Sequence, residues 1–494
     1  MEKPSSELVA QIQAAASPET PTPEEREVLI RELQDFTKQV EHIDRTYKAG
    51  AMESWISPHG REGRTWSQEL DHAVAHRHEG YVPQMTYPAL ERSYHEENDR
   101  DGTKLDTTAG LQELEQLEVD VAEKYKHISP VALVLIDHKK REFRFLEAVK
   151  SGDSKGVIAN MPFGRPSDEL VKFANAAYEA DLRPKPKKNE TAEKLSGNTF
   201  NSRDLKEYFE YAIQLLGAKE WRVEISTKQQ VITVYPENKK VGIPPRRKVD
   251  GIELLKLTAH EIGAHVGTTY TAESNGFGTT SLGKDASILQ EGLAMLAERE
   301  IEQLILGYPE NPGPYYVLGI QQALENGGDF WKAYDYLIDL RKKELIAQGR
   351  SEKYIDKNLQ AVPRRVLARI FRGSVDLSHG GYVYTKDKAY LEGEMIAEKI
   401  KEVGLLGFML AGKYDIPTAI FLLQNRVIPK DAVNLTIDVA HKIWANQGDK
   451  DFLVNLNWYR ENHNDPYWRE FGVTDEEYIQ AMISGIPIKS RYSP

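Results

Sequence analysis

Two histidines and a glutamate in the middle of the chain are of types that can bind a metal ion and activate water. His260, Glu261 and His265 lie in the stretch LTAHEIGAHVG, residues 257–267. In the usual zinc-protease motif, H-E-x-x-H, the two histidines are four residues apart on one helix face. In this chain they are five residues apart. Because each α-helical residue turns about 100°, residues at i and i+5 are about 140° apart and would face away from each other.

The extra residue leaves two interpretations open. The histidines could share a metal ion only if the helix absorbed the extra residue as a π-type turn, a distortion that concentrates at functional sites. Gly263 lies between them, where a missing side chain would ease the distortion, and a glycine inside a helix costs roughly 1 kcal/mol relative to alanine. The alternative is two unrelated histidines on a half-buried helix. The motif by itself does not decide between them.

A glutamate further along the chain could complete a set of metal ligands. A zinc site with two histidine ligands commonly takes a carboxylate as its third protein ligand. Glu291 lies in ILQEGLAMLAERE (288–300) among apolar residues, where a carboxylate is costly to bury unless it is paired or bound to a cation. Alone, it would be a first-turn glutamate that favours the helix dipole. Since it follows His265 by only 26 residues, it becomes a candidate ligand.

A second histidine cluster has the more regular helical spacing. In DHAVAHRHEG (71–80), His72 and His76 are four residues apart, and His78 follows. No glutamate adjoins the first histidine, and no third ligand is apparent nearby. This cluster is therefore interpreted as a surface or packing feature rather than a metal site.

Composition excludes several classes of function. The chain has 494 residues, a net charge of -12 and no cysteine, so disulfides, thiolate nucleophiles and cysteine-held zinc are excluded. Any metal ion must be bound by His, Asp or Glu. The acidic balance argues against a nucleic-acid partner. No basic and apolar leader and no apolar run of about 20 residues is present, so we expect a cytoplasmic protein with no membrane partner.

The elements that position these residues are predicted to be mostly helices. Helical patterns cover 24–48, 111–126, 141–150, 167–182, 204–218, 251–268 and 284–306. WRVEIS (221–226) and VITVYP (231–236) alternate in hydrophobicity and predict two strands paired through a short turn. KKVGIPP (239–245) could be a third strand, at the edge because of its prolines.

This order of elements predicts an α+β, mostly helical fold. A small sheet, the motif helix and a following helix with the third ligand are the arrangement of a zincin-like metallopeptidase core. We expect a flexible leader at 1–23, a helical and irregular accessory region at 24–130, a catalytic domain at 131–430 and a C-terminal helical extension at 431–494 that packs on the catalytic domain.

Several motifs together resemble one known family. HEIGAH (260–265) followed by QEGLA (290–294) is similar to the family that includes the microtubule-associated tyrosine carboxypeptidases and the bacterial proteins named for their QEGLA motif. MPFGRPSDELVKFA (161–174) and RIFRGSVDLSHGGYVYTKDKAYLEG (369–393) resemble further blocks of that family. The resemblance covers about residues 130–430, and the first hundred or so residues match nothing recognisable.

The resemblance implies a zinc-dependent carboxypeptidase with one Zn²⁺ per chain. Carried over by position, His260, His265 and Glu291 would bind zinc, and Glu261 would be the general base. The substrate would be the C-terminus of a peptide or protein, with an aromatic residue, Tyr or Phe, released. The resemblance alone, and nothing in the residues themselves, indicates the aromatic preference.

A carboxypeptidase must also bind a free α-carboxylate, for which an arginine fork is the best partner. Arg365, Arg369 and Arg372 share one helix face, although a solvated basic face would look the same. The resemblance favours Arg369 and Arg372. It also adds Lys386 and Tyr390 to the candidate substrate-binding residues. Three further candidates lie beside a Gly-Gly pair, and one of them could stabilise the oxyanion: Tyr382, Tyr384 and His379.

Two other functions remain open from the sequence. One is a non-catalytic regulatory or interaction protein with a structural metal site. The other is an endopeptidase on the same core. The physiological substrate and the oligomeric state are not predicted.

Overall fold

The structure is a computed structural model, and it describes most of the chain between residues 22 and 427. The described residues are 22–47, 66–83, 106–151, 153–161, 163–183, 188–227, 231–274, 286–306, 313–372 and 380–402, with single residues or short pieces at 282, 374, 377 and between 412 and 427. Most of the predicted leader and all of the predicted C-terminal extension lie outside the described residues.

Helices make up most of the described chain. They are α1 (Pro23–Tyr47), α2 (Trp66–Ala75), α3 (Thr107–Lys124), α4 (Ser129–Ser151), α5 (Ser154–Ala159), α6 (Asp168–Asp181), α7 (Glu190–Gly197), α8 (Ser202–Leu216), α9 (Gly251–Leu257), α10 (Gly267–Ser274), α11 (Ala286–Leu306), α12 (Pro314–Glu325), α13 (Phe330–Ala347), α14 (Glu352–Asn358), α15 (Ala361–Ile370) and α16 (Ala389–Glu402). A π-helix, Thr258–Val266, joins α9 to α10. The strands are β1 (Thr199–Asn201), β2 (Arg222–Ile225), β3 (Thr233–Tyr235), β4 (Lys240–Ile243) and β5 (Lys248–Asp250).

The predicted α+β, mostly helical class is confirmed. The helix bounds agree with the predicted ones to within a few residues in most cases, because the caps are encoded locally. Ser167 accepts a hydrogen bond from the Leu170 N–H at the start of α6, and Asn201 and Asp204 form a capping box at the start of α8. One prediction is too short: the helix expected at 141–150 begins at Ser129.

The described residues divide into two compact units. One unit contains the described residues of Asp35–Lys185 and Asn311–Leu391, and the other contains those of Ser5–Gln34, Pro186–Glu310 and Glu392–Pro494. The first has a core between α6, α12, α13 and α15, where Leu170, Ile320, Leu337 and Ile370 are fully buried. The second has a core that α8, the small sheet, α9, the π-helix and α11 enclose; Phe209, Val241, Ile262 and Ile305 are buried there.

The sheet of the second unit differs from the predicted pairing. The strand order is β2-β4-β3, with β4 parallel to β2 and antiparallel to β3. The strands within WRVEIS and VITVYP therefore do not pair with each other, and the strand within KKVGIPP is the central strand rather than an edge. Its prolines, Pro244 and Pro245, follow the strand instead of interrupting it, so they do not prevent pairing on both sides. A separate two-stranded sheet pairs β1 with β5.

The membrane prediction can be compared with the described helices. None of the helices in the described part of the chain is both long enough and apolar enough to cross a bilayer.

Candidate functional site: a histidine and carboxylate cluster on a π-helix

The histidine motif lies in a locally distorted helix. Asp250 caps α9 by accepting a hydrogen bond from the Glu253 N–H. After Leu257 the backbone changes to the π-helix Thr258–Val266, which contains both histidines, and returns to α-helix at Gly267. A π-helix bonds i to i+5, so it takes up one extra residue and turns His260 and His265 toward the same side. The predicted departure from a regular helix at this motif is present.

The space around Gly263 differs from what the sequence suggested. A methyl group at this position would meet only the Thr258 carbonyl oxygen, at 3.9 Å, which is an ordinary contact. Crowding therefore does not require a glycine there.

The two histidine rings are neighbours. Their centroids are 4.9 Å apart, with an interplanar angle of 73°. His260, Glu261 and His265 each offer a ligand atom, and these atoms lie within 4.8 Å of one another. Among the described residues, no other group of histidines and acids is gathered closely enough to hold one ion. The motif that the sequence singled out is thus brought together in space.

Glu291 approaches the same place from α11. Its Oε2 lies 3.8 Å from Nε2 of His260. Two ligands of a tetrahedral zinc ion with bonds of 2.0–2.1 Å are about 3.4 Å apart, so this spacing fits a shared ion. Glu291 does not belong to the close group of three, whose carboxylate is that of Glu261. The distances thus offer two carboxylates to one pair of histidines.

A close helix crossing fixes the backbone next to Glu291. A Cβ on Gly292 would lie 2.0 Å from the carbonyl carbon of Gly393, and one on Gly393 would lie 2.1 Å from the Ile288 carbonyl oxygen. Neither position can accept a side chain without a shift of the backbone. The glycine of the QEGLA motif is therefore explained by the contact of α11 with α16.

Glu298 was not singled out from the sequence, although it contacts the site directly. Its Oε1 lies 2.7 Å from Nδ1 of His260. In the neutral imidazole this contact favours the tautomer in which the Nδ1–H donates a hydrogen bond to Glu298 and Nε2 keeps a lone pair. Glu298 follows Glu291 by seven residues, two helical turns, which is the available signal that both lie on one face of α11.

The charge state of Glu261 depends on its surroundings. Burial raises the pKa of Glu261 to about 7; the charge of His260 lowers it in part, while the charges of Glu291 and Glu298 raise it. A carboxyl group with a pKa near 7 is suited to accept and return a proton near neutral pH.

The two histidines differ in their electrostatic surroundings. Burial alone would lower the pKa of His260, but the hydrogen bond with Glu298 and the charges of the neighbouring carboxylates raise it to about 9. Burial, together with the charges of His260 and Lys413, lowers the pKa of His265 well below its ordinary value. His265 therefore presents a neutral imidazole, the form that binds metals.

The competing histidine cluster lies in the other unit. The rings of His72 and His76 are 4.0 Å apart, and Nδ1 of His76 is 2.8 Å from the His72 carbonyl oxygen. Neither histidine belongs to a group of potential metal ligands among the described residues.

The candidate carboxylate-binding arginines also lie in that other unit, around a buried aspartate. Arg369 Nη2 is 2.7 Å from Oδ1 of Asp387, and Arg372 donates a 3.0 Å hydrogen bond to Oδ2. Asp387 is fully buried, so both guanidinium groups already have a strong partner, whereas Arg365 is exposed. Arg369 also lies against the ring of Tyr390, 5.6 Å from its centroid, and its side chain is 38% exposed.

The remaining candidates of that block differ in exposure. The side chains of Tyr382 and Tyr384 are buried, and within the described residues neither hydroxyl has a hydrogen-bond partner. Burial raises the pKa of both phenols. Burial lowers the pKa of Lys386, with Asp387 opposing it. His379 lies outside the described residues.

Comparison with known proteins identifies the family. The family model described as microtubule-associated tyrosine carboxypeptidase matches residues 75–426, more than two thirds of the chain. None of the curated proteins compared with the chain matches it. The match includes the π-helix, Glu291 and the arginine block, so the chain belongs to the microtubule-associated tyrosine carboxypeptidase family, a family of peptidases.

Proposed function

We propose that this protein is a zinc-dependent metallocarboxypeptidase that hydrolyses the last peptide bond of a peptide or protein and releases an aromatic residue, Tyr or Phe. The observation that carries the proposal is the π-helix, because it brings histidines five residues apart to within ligand distance of each other. We also assign a zincin-like core to the unit with the small sheet, the motif helix and α11.

The donor set fits a zinc ion. His260, His265 and Glu291 would hold it; two imidazoles and a carboxylate are a common zinc ligand set, and a carboxylate on Nδ1 of His260 is the usual outer partner of such a ligand. When bound, zinc would act as a Lewis acid on the scissile carbonyl and lower the pKa of a water molecule.

Glu261 is the general base in this proposal. It adjoins a ligand histidine, is largely buried, and lies within the close group of three. It would accept a proton from the attacking water and pass it to the amine of the departing residue.

The edge strand β3 is the candidate for binding the substrate backbone. In the described sheet it pairs on one side only, with β4, and it contacts the π-helix. An edge strand can accept an extended peptide as a further strand. Arg369 stays a prediction from the sequence for binding an α-carboxylate; it is the more exposed of the two arginines at Asp387.

The test uses the purified full chain with peptides that share one sequence and end in Tyr, Phe, Ala or Asp, and with the Tyr peptide as its C-terminal amide. We expect mass spectrometry to detect loss of one residue from the Tyr and Phe peptides and no cleavage of the amide. Glu261→Gln should lower kcat/KM by about 10²–10⁴-fold and keep its zinc.

Three results would contradict the proposal. Internal cleavage, or equal cleavage of the amide, would indicate an endopeptidase. Zinc bound without cleavage of any peptide would indicate a structural site. Full activity of Glu261→Gln would remove the assigned base.

A further inference from the structure

A row of alternating charges leads away from His260 on the side opposite to the proposed metal. Glu298 Oε1 contacts Nδ1 of His260 at 2.7 Å, and its Oε2 lies 3.3 Å from Nζ of Lys256. Lys256 also donates a short hydrogen bond to Oε1 of Glu302. Each oxygen of Glu298 therefore has a different partner, which restricts the rotation of its carboxylate.

The row follows from helical spacing on two facing elements. Lys256 precedes His260 by four residues, and Glu298 precedes Glu302 by four, so each pair occupies adjacent turns. Both α9 and the π-helix contact α11. Two pairs of side chains thus interdigitate between the motif helix and α11.

Stability alone is a poor explanation for this row. The side chain of Glu302 is 4% exposed and that of Glu298 17% exposed. Removing such carboxylates from water carries a desolvation cost that ion pairing often fails to exceed. The row ends on a ring nitrogen of His260, whose other nitrogen is the one 3.8 Å from Glu291.

We propose that Glu298 is a positioning residue that holds the His260 ring for metal binding, and that Lys256 and Glu302 hold Glu298 in turn. This inference rests on the metal site of the proposed function. Glu298 orients Nε2 toward His265 and Glu291, and Lys256 prevents the carboxylate from rotating away. Outer partners of this kind typically change metal affinity by about 10–100-fold.

The test measures the zinc affinity of chelator-stripped protein by competition with a chromophoric chelator. We expect Glu298→Gln to weaken zinc binding about tenfold and Glu298→Ala by up to about 100-fold. Circular dichroism of the metal-free variants checks that they fold. The control is Glu253→Gln, which removes the same charge from α9 at a residue paired with Arg247, and it should bind zinc as wild type does.

A charge-neutral double variant separates positioning from a change in the electric field. Lys256→Met combined with Glu302→Gln removes one positive and one negative charge, so the net charge near the ion is unchanged. We expect weaker zinc binding and an altered absorption spectrum of the Co²⁺-substituted protein, because the carboxylate of Glu298 loses the contacts that fix its orientation. Lys256→Arg should retain most of the affinity.

The possible outcomes are distinguishable. If wild type binds zinc and Glu298→Gln binds it equally well, the positioning role is wrong while the proposed metal site stands. If the double variant binds zinc as wild type does, the role of Lys256 and Glu302 is wrong. If wild type binds no zinc, the metal site of the proposed function fails and this inference fails with it.

Discussion

Glu394 illustrates how burial sets the charge of one residue beside the helix crossing. Its side chain is 1% exposed, and Oε1 accepts a 2.6 Å hydrogen bond from Arg299. Burial raises the pKa of Glu394 to about 7; Arg299 lowers it in part, and the charges of Glu398 and Glu302 raise it. The folded chain therefore retains a proton on this carboxyl group at pH values where the unfolded chain has lost it.

This difference predicts a pH dependence of stability. Because the folded-state pKa is above the unfolded value of about 4.5, the contribution of Glu394 is fully present below that pH and is lost as the pH rises through about 7. Glu394→Gln should lack this loss. Urea unfolding from pH 4.5 to 8 should show the wild type losing up to about 3 kcal/mol relative to the variant. Parallel pH profiles for the two proteins would contradict the assignment.

Some site residues could be predicted from the sequence and others could not. His260, Glu261 and His265 form a local motif whose residue types already indicate chemistry. Glu298 has no such motif, since a spacing of seven residues from Glu291 is shared by every residue on that helix face. Its role depends on the approach of α11 to the π-helix, which is a tertiary contact.

Gly263 in the π-helix and Gly292 at the crossing of α11 with α16 differ in whether a side chain could be added. Gly263 lies in the π-helix with room for a methyl group, and Gly292 lies against the backbone of Gly393. The sequence suggested a structural reason for Gly263 only, because the partner of Gly292 is 101 residues further along the chain. Long-range packing, rather than local helix geometry, therefore accounts for the required glycine.

The same substitution at both positions tests this difference. Gly263→Ala should leave the free energy of unfolding unchanged or raise it by up to about 1 kcal/mol, since alanine favours helix. Gly292→Ala should lower it by about 1–3 kcal/mol, because the added methyl group forces the helices apart. It should also weaken zinc binding, since Glu291 precedes it. Urea unfolding and zinc titration measure both effects, and equal behaviour of the two variants would contradict the account.

The small sheet shows why the order of its strands could not be predicted from the sequence. The alternation in hydrophobicity predicted β2 and β3, but it did not indicate which strand each of them pairs with. The parallel pairing of β2 with β4 places Val223 opposite Val241 and inserts β4 between two strands that are adjacent in sequence. Strand existence is encoded locally, while strand order depends on how α8 and the motif helix cover the sheet.

All residues assigned to the metal site belong to one of the two compact units, within Pro186–Glu310. His260, His265 and Glu291 come from segments 26 residues apart, so their convergence requires that unit to be folded. An ion that binds only the folded chain stabilises it by mass action.

Zinc should therefore raise the stability of the metal-free protein. At a free zinc concentration 100 times Kd, the free energy of unfolding should increase by about 2.7 kcal/mol. Thermal unfolding with and without added zinc measures the effect as a rise in Tm. His72→Ala, which changes a histidine outside the site, should respond as wild type does. An equal rise in Tm for His265→Ala would contradict binding at this site.

In the proposed site, the π-helix brings His260 and His265 to one zinc ion with Glu291. Elemental analysis of purified, dialysed protein measures its zinc content in wild type, His260→Ala, His265→Ala, Glu291→Ala and the control His72→Ala. We expect one zinc per chain in wild type and His72→Ala, and no zinc in the other three variants. One zinc per chain in His265→Ala would contradict this site.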